Sequence, residues 1–313
     1  MAVEIPVEKW TGKVREVKLG GGGRKEVTIG GASTLPYLKF EGAPCNPTRV
    51  AIEIQDREPE GWSPVLLSAW GDAVKDPAAW AKKAAEFGAE IICLRLVSAH
   101  PESGNTGAAE AKATVEKVLS AVDLPLIVLG PGVAEKDNEV LMAASEAAKG
   151  QRIALGNLEE KNYKTVAAVC ISDGHVAIAK TPLDINLAKQ LNVLVSDVGV
   201  PLDSIIMDPD TGALGYGIEY AYSIIERLRL AALLGDSMCQ MPIISHPGSE
   251  TWRQKEAKAA EGVPESWGSL DDRAVIWEEL TAVALVHAGS DLLVMYHPRA
   301  VETVKATIGA LAA

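Results

Sequence analysis

Aromatic residues are scarce in this chain: they make up 5% of its 313 positions, with two phenylalanines against seven tryptophans. A core with so few rings must be built from aliphatic side chains, which suits buried parallel strands and close helix packing. Basic charge is also in deficit. There are 30 Lys and Arg against 42 Asp and Glu, a net charge of −12, and no basic cluster, which argues against binding to nucleic acid or an anionic membrane. No apolar run approaches the roughly 20 residues needed to span a bilayer. The opening MAVEIPVEKW lacks the basic-then-apolar pattern of a secretion signal. These absences lead us to expect a soluble cytoplasmic protein. Cysteine is rare as well: Cys45, Cys93, Cys170 and Cys239 lie far apart, and no CxxC occurs. A disulfide framework, a structural zinc site and an iron–sulfur cluster held by this chain are thereby disfavoured, and the four are read as free or buried thiols.

What remains is ordinary globular material, 48% hydrophobic and 23% charged, in a length that suits one large α/β domain or two modest ones. Two short alternating segments, Val14 to Leu19 and Glu26 to Ile29, flank four glycines and signal a hairpin over 12–30. Gly20 to Gly23 lacks the GK[ST] ending of a phosphate loop, and no helical pattern follows it. Residues 31–60, with Pro36, Pro44, Pro47 and Pro59, read as an ordered, extended lead-in.

From residue 64 a rhythm sets in. Apolar runs at 64–69, 90–96, 125–130, 152–156, 175–180, 204–208, 242–246 and 291–296 are each followed by a helical pattern. Asp76-Pro77 supplies a helix start; Gly88, Gly199 and Gly235 supply stops. Eight strand–helix units in roughly 250 residues is the arithmetic of a TIM (β/α)8 barrel. The rival doubly wound sheet would carry a Gly-rich first turn, whereas Trp70-Gly71-Asp72 stands there. The expected organisation is an N-terminal hairpin and extended segment over 1–60 and a barrel over 61–313, the hairpin either capping the barrel bottom or gripping a partner.

Barrels bind ligands where strands end. The expected rim carries Asp72, Arg95, Gly130, Asn157, Lys180, Asp184, Asn186, Asp208, His246, Tyr296 and His297. Asp72 and Asp208 are acid–base candidates, or helix caps and loop anchors. Lys180 could form a Schiff base, or serve as a surface or ion-paired lysine. His100, His246 and His297 share no HxH or HExxH spacing, so no metal site is read from them, and His175 falls at the opposite end. MDPDTGALGYG (207–217) reads as a binding loop whose glycines allow close approach of a ligand or partner backbone. The long excursion over 245–269 carries Trp252 and Trp267, read either as interface anchors or as internal packing.

Several segments resemble a known family. TPLDINLAKQLN (181–192), the run from Gly199 to Leu233, MPIIS (241–245), the run from Trp70 to Leu96 and the stretch from Asn157 to Lys164 are similar to the small subunit of the corrinoid iron–sulfur protein. That subunit is also called the delta subunit of the carbon monoxide dehydrogenase/acetyl-CoA synthase system. The similarity covers about 60–311. It implies a TIM barrel related to methyltetrahydrofolate methyltransferases, paired with a large subunit that carries a [4Fe-4S] cluster and a corrinoid-binding domain. The corrinoid, a cobalamin-type cofactor, would lie between that domain and the barrel mouth. The heterodimer would carry a methyl group from methyltetrahydrofolate, through a methyltransferase, to acetyl-CoA synthase in the anaerobic acetyl-CoA pathway of carbon fixation. This chain would then be a carrier subunit with no catalytic residue or metal ligand of its own.

Three features of the sequence agree with that picture. Cluster cysteines are missing. The D-x-H-x-x-G corrinoid motif fails, because Ile178 stands where Asp173 and His175 would need a glycine. The mouth is polar without a catalytic constellation. Barrel geometry nominates Asp208, Thr211, Gly212, Gly215 and Tyr216, then Asn157, Asp184, Asn186 and His246, as residues facing the corrinoid. The leading alternative is a methyltetrahydrofolate–corrinoid methyltransferase built on Asp72, Asn157 and Asp208; a barrel aldolase built on Lys180 is a third.

Overall fold

A computed structural model describes residues 4–42 and 45–312. Eight parallel strands run in the order β8-β7-β6-β5-β4-β3-β10-β9: β3 (Arg49–Gln55), β4 (Ile91–Arg95), β5 (Leu126–Leu129), β6 (Ala154–Leu158), β7 (Val176–Lys180), β8 (Ile205–Asp208), β9 (Ile244–Ser245) and β10 (Leu292–Met295). A parallel bridge between Met207 and Ile243 joins the two outer strands. The ring of strands is the expected TIM barrel.

The outer helices are α2 (Pro77–Glu86), α3 (Ala108–Ala121), α4 (Ala134–Ala147), α5 (Tyr163–Asp173), α6 (Ile185–Val198), α7 (Glu219–Leu233), α9 (Leu270–Ala288) and α10 (Pro298–Ala312). Two short helices, α1 (Pro64–Trp70) and α8 (Pro247–Arg253), sit in the first and seventh strand-to-helix connections. Local chemistry sets the boundaries. Asp76 caps α2 by accepting from the backbone N–H groups of Ala78 and Ala79, with Pro77 in the first turn. Gly199 and Gly289 end α6 and α9 in the left-handed region.

The expected strand at 64–69 is a helix, α1, and the first barrel strand lies earlier, at Arg49–Gln55, so the barrel begins before residue 61. PVLLSA is a short apolar run, which period alone cannot assign to strand or helix. RVAIEIQ pairs with β4 and β10, and its Glu53 finds a buried partner that makes a charged strand position tolerable.

The hairpin of β1 (Glu16–Leu19) and β2 (Val27–Gly30) caps the barrel bottom. The backbone N–H groups of Arg15, Gly20 and Lys25 donate to the carbonyls of Gln240, Arg152 and Asp123, which precede β9, β6 and β5. Val17, Leu19 and Ile29 are fully buried in the cluster that fills the barrel interior, with Ile91, Cys93, Ile127, Val176, Ile206 and Val294. Gly20 holds a φ of +91°, and a Cβ there would stand 2.1 Å from the Lys25 carbonyl oxygen, so only glycine makes this turn.

Candidate functional site

Period-2 alternation puts Ala51, Glu53 and Gln55 on one face of β3 and Val50, Ile52 and Ile54 on the other. Ala51 belongs to the barrel interior, so Glu53 and Gln55 stand above it, toward the mouth. Glu53 is fully buried. Arg95, at the end of β4, clamps it from Nε to Oε1 and from Nη2 to Oε2, both at 2.8 Å, and the Tyr296 hydroxyl donates to Oε1 at 2.8 Å. Burial alone would raise the Glu53 pKa; Arg95, the nearby His246 and the Tyr296 hydroxyl outweigh it and hold the carboxyl below its usual range. Burial and the Glu53 charge together push the Tyr296 phenol well up.

Across the mouth, Asp208 ends β8 and is buried. Its Oδ2 lies 3.3 Å from Nε2 of His246, and its Oδ1 accepts from the Asp210 N–H at 3.0 Å. Here too burial raises the pKa, and the opposing pull of His246, Lys180 and the Asp210 amide prevails, so the group stays ionised. A third carboxyl behaves otherwise. Asp137, in α4, accepts from the Gly132 N–H at 3.0 Å but is pushed up to about 6, by burial and then by the Glu159 charge against that amide.

The 209–217 loop is held down by buried contacts. Thr211 Oγ1 accepts from the His246 N–H at 2.8 Å, and the Leu214 N–H donates to Glu250 Oε1 at 3.1 Å. Glu250 is buried in α8 and also pairs with Arg253. Burial nonetheless pushes its pKa up. Gly248 opens the first turn of α8 against β10: a Cβ there would meet Tyr296 Cδ1 at 2.6 Å. Behind the mouth, Glu278 of α9 accepts from the Tyr296 and His297 N–H groups and from Trp252 Nε1, at 2.6, 3.1 and 2.6 Å.

The nominated residues therefore fall into groups. Asp208, Thr211 and His246 come together, buried, with Gly212 also buried in the loop. Asn157 is buried in the β6 irregularity at the end of its strand. Gly215 is exposed at the loop tip, and Tyr216 is 93% exposed. Asp184 caps α6, accepting from Asn186 and Leu187 N–H groups, and Asn186 is exposed on the first helical turn, so neither joins the buried set. Asp72 sits on an exposed turn, paired with Lys75 at 2.6 Å, whereas Asn157 and Asp208, with which the methyltransferase alternative would group it, are buried. Lys180 is one-third exposed and lies 3.8 Å from Asp210, on the wall of a cavity of about 420 Å3 beside the mouth. Trp252 packs internally, stacked on His297, while Trp267 is 42% exposed. Cys93, Cys170 and Cys239 are buried and Cys45 is exposed, all as free thiols. Among the described residues, no group of three His, Cys, Asp or Glu side chains is placed to hold a metal ion.

Sequence reasoning missed Glu53, Asp137, Glu250 and Glu278. Glu53 carried a usable signal: it is the acidic residue on an alternating strand whose same-face neighbour is Ala51. The others are helix positions whose inward direction depends on packing.

Chemically, the mouth is lined by charged and polar side chains. Its two most buried carboxylates are held ionised by fixed partners. Three buried atoms at the strand ends, Asn157 Oδ1, Thr181 Oγ1 and His246 Nδ1, have no hydrogen-bond partner among the described residues. Such atoms are costly unless a bound group or water satisfies them.

Solved structures with a similar fold include dihydropteroate synthases. One from Coxiella burnetii, in complex with pteroic acid, has a TM-score of 0.59 at 12% identity, covering 96% of this chain and 100% of that one. One from Xanthomonas albilineans has a TM-score of 0.58 at 15% identity, covering 86% and 95%. At this identity the likeness concerns the fold alone. Sequence relatives are much nearer. Acetyl-CoA decarbonylase/synthase complex subunit delta of Archaeoglobus fulgidus is 39% identical over 97% of this chain and 70% of its own length. Subunit delta 1 of Methanosarcina thermophila is 38% identical over 96% and 71%. The family model described as CO dehydrogenase/acetyl-CoA synthase delta subunit matches residues 16–303. With a family match over residues 16–303 and relatives of this closeness, the chain belongs to the family of CO dehydrogenase/acetyl-CoA synthase delta subunits.

Proposed function

We propose that this chain is the small subunit of a heterodimeric corrinoid iron–sulfur methyl carrier, and that its barrel mouth covers a corrinoid bound by the large subunit. The observation that carries the reading is the set of orphaned polar atoms at the strand ends, in a member of the delta family. A corrin ring is rimmed with carboxamides, which both donate and accept hydrogen bonds. Asn157 Oδ1 can accept from such an amide, Thr181 Oγ1 can donate or accept, and His246 Nδ1 can accept, because Nε2–H is directed to the Asp208 carboxylate. When bound, the corrinoid supplies the cobalt centre that carries the methyl group.

The chain's own residues bind, orient and shield. Glu53, Arg95 and Tyr296 form a rigid polar floor. Asp208 fixes His246 through Nε2, which leaves Nδ1 as the free ring nitrogen. The 209–217 loop, tied to His246 and Glu250, presents Tyr216 outward at the rim, where a capping domain of the partner would dock. The [4Fe-4S] cluster belongs in this reading to the large subunit. A methyltetrahydrofolate methyltransferase and acetyl-CoA synthase approach in turn, so the cap must move while the barrel stays rigid.

Titration distinguishes this from the methyltransferase alternative. The isolated chain should leave methyltetrahydrofolate unbound and should form a one-to-one complex with corrinoid-loaded large subunit. Asn157→Ala with His246→Ala should weaken that complex by on the order of tenfold, the worth of one or two hydrogen bonds. Tight methyltetrahydrofolate binding by the chain alone would replace the carrier reading with the enzyme.

A further inference from the structure

At the end of the barrel opposite the mouth lies a second cavity, of about 430 Å3, between the segment that leads into β3 and the carboxyl ends of α9 and α10. Its most informative residue is Arg229 of α7, which is 2% exposed. Nη2 of Arg229 donates to Asp291 Oδ2 at 2.8 Å and to the Gly289 carbonyl. Among the described residues Nε and Nη1 have no partner, and no other side chain leaves two buried polar atoms unmatched. Gly289, which ends α9 with a φ of +118°, lies close to this guanidinium, and a Cβ there would stand 3.0 Å from Arg229 Nε.

The remaining walls define what could enter. Leu35, Val286 and Ile308 supply apolar surface, and Tyr37 and Cys45 also line the cavity. Asp291 already balances the guanidinium charge, and its Oδ2 also accepts from the Ile243 N–H at 2.8 Å. The site therefore offers donors without net charge, which suits a neutral acceptor over an anion. The volume lies in the lower part of the range for small-molecule pockets.

We propose that this cavity is a binding site, separate from the mouth, for a small molecule with an apolar body and a carbonyl-type acceptor that meets Arg229. The inference is independent of what the mouth covers. Cys45 gives a direct readout, because it lines the cavity and is exposed while the other three cysteines are buried. Alkylation of Cys45 by iodoacetamide, followed by mass spectrometry, should slow at least about fivefold under saturating benzamide. Toluene, which lacks the acceptor, should need about tenfold more for the same protection, the usual worth of one buried hydrogen bond. Leu311→Trp, a filling change on the half-buried last turn of α10, should abolish protection, and Arg229→Gln should weaken it. Should Arg229→Gln fail to fold, Leu311→Trp alone decides. An alkylation rate indifferent to benzamide, equal protection by toluene, or undiminished protection in Leu311→Trp would each overturn the proposal.

Discussion

Glu53 shows how a single residue organises the mouth. A fully buried carboxylate is tolerated only because Arg95 grips both oxygens and Tyr296 adds a third hydrogen bond. Glu53→Gln should therefore destabilise the chain by about 3 kcal/mol in urea unfolding, because it leaves the Arg95 charge without its partner. A loss below about 1 kcal/mol would mean the pair is dispensable. Behind the mouth, two neighbouring groups titrate in opposite senses. Burial, aided by Arg299, lowers the His297 pKa to about 4, below the roughly 6.5 of an unfolded histidine, so its contribution to stability is full above that value and is lost as pH falls toward 4. Burial pushes Glu278 up to about 7, above the roughly 4.3 of an unfolded glutamate, so its contribution is full at low pH and is lost as pH rises toward 7. The two slopes largely cancel. His297→Phe should unmask the Glu278 slope: relative to the parent, the variant gains stability progressively below about pH 6.5. Unfolding midpoints measured at about pH 5 and pH 7.5 check the sign, and a difference independent of pH would contradict it.

Among the elements, the hairpin and the 209–217 loop act at opposite ends of one barrel. Leu19, buried inside the plug, should cost roughly 2–4 kcal/mol on truncation to alanine if the hairpin is part of the barrel core. A near-neutral change would make it an appendage. At the other end, Glu250→Ala removes the acceptor of the Leu214 amide, so exchange over 209–217 should quicken while the β4 and β5 amides stay protected. Unchanged exchange would show that other contacts hold the loop. Seven of the eight strands were legible as apolar runs because both faces of a barrel strand are covered. The first was not. RVAIEIQ carries a charged and an amide residue toward the mouth, which looks like exposure in sequence, whereas PVLLSA has the composition of a buried strand and forms α1. The same misplacement explains the site. Asp208, Thr211, His246 and Asn157 were readable from strand ends, Glu53 was hidden with its strand, and Asp72 inherited a place it does not hold. Asp184 was nominated as a ligand from its place after a strand, and its hydrogen bonds to the first turn of α6 make it a helix cap.

The whole molecule is a barrel plugged at the bottom and polar at the top, acidic overall, with no helix among the described residues long and apolar enough to cross a membrane. It spans about 70% of the length of the delta subunits it matches. Its mouth has fixed ion pairs and, among the described residues, unmatched hydrogen-bonding atoms. That arrangement suits a wall completed by something else, and the central claim is that a corrinoid on a partner subunit completes it. The most direct measurement is anaerobic purification of this chain from its native extract, with subunit stoichiometry and a visible spectrum. The account predicts an equimolar partner and an absorption spectrum that combines corrinoid with iron–sulfur features. A colourless chain, purified alone or with copies of itself and binding methyltetrahydrofolate, would contradict it.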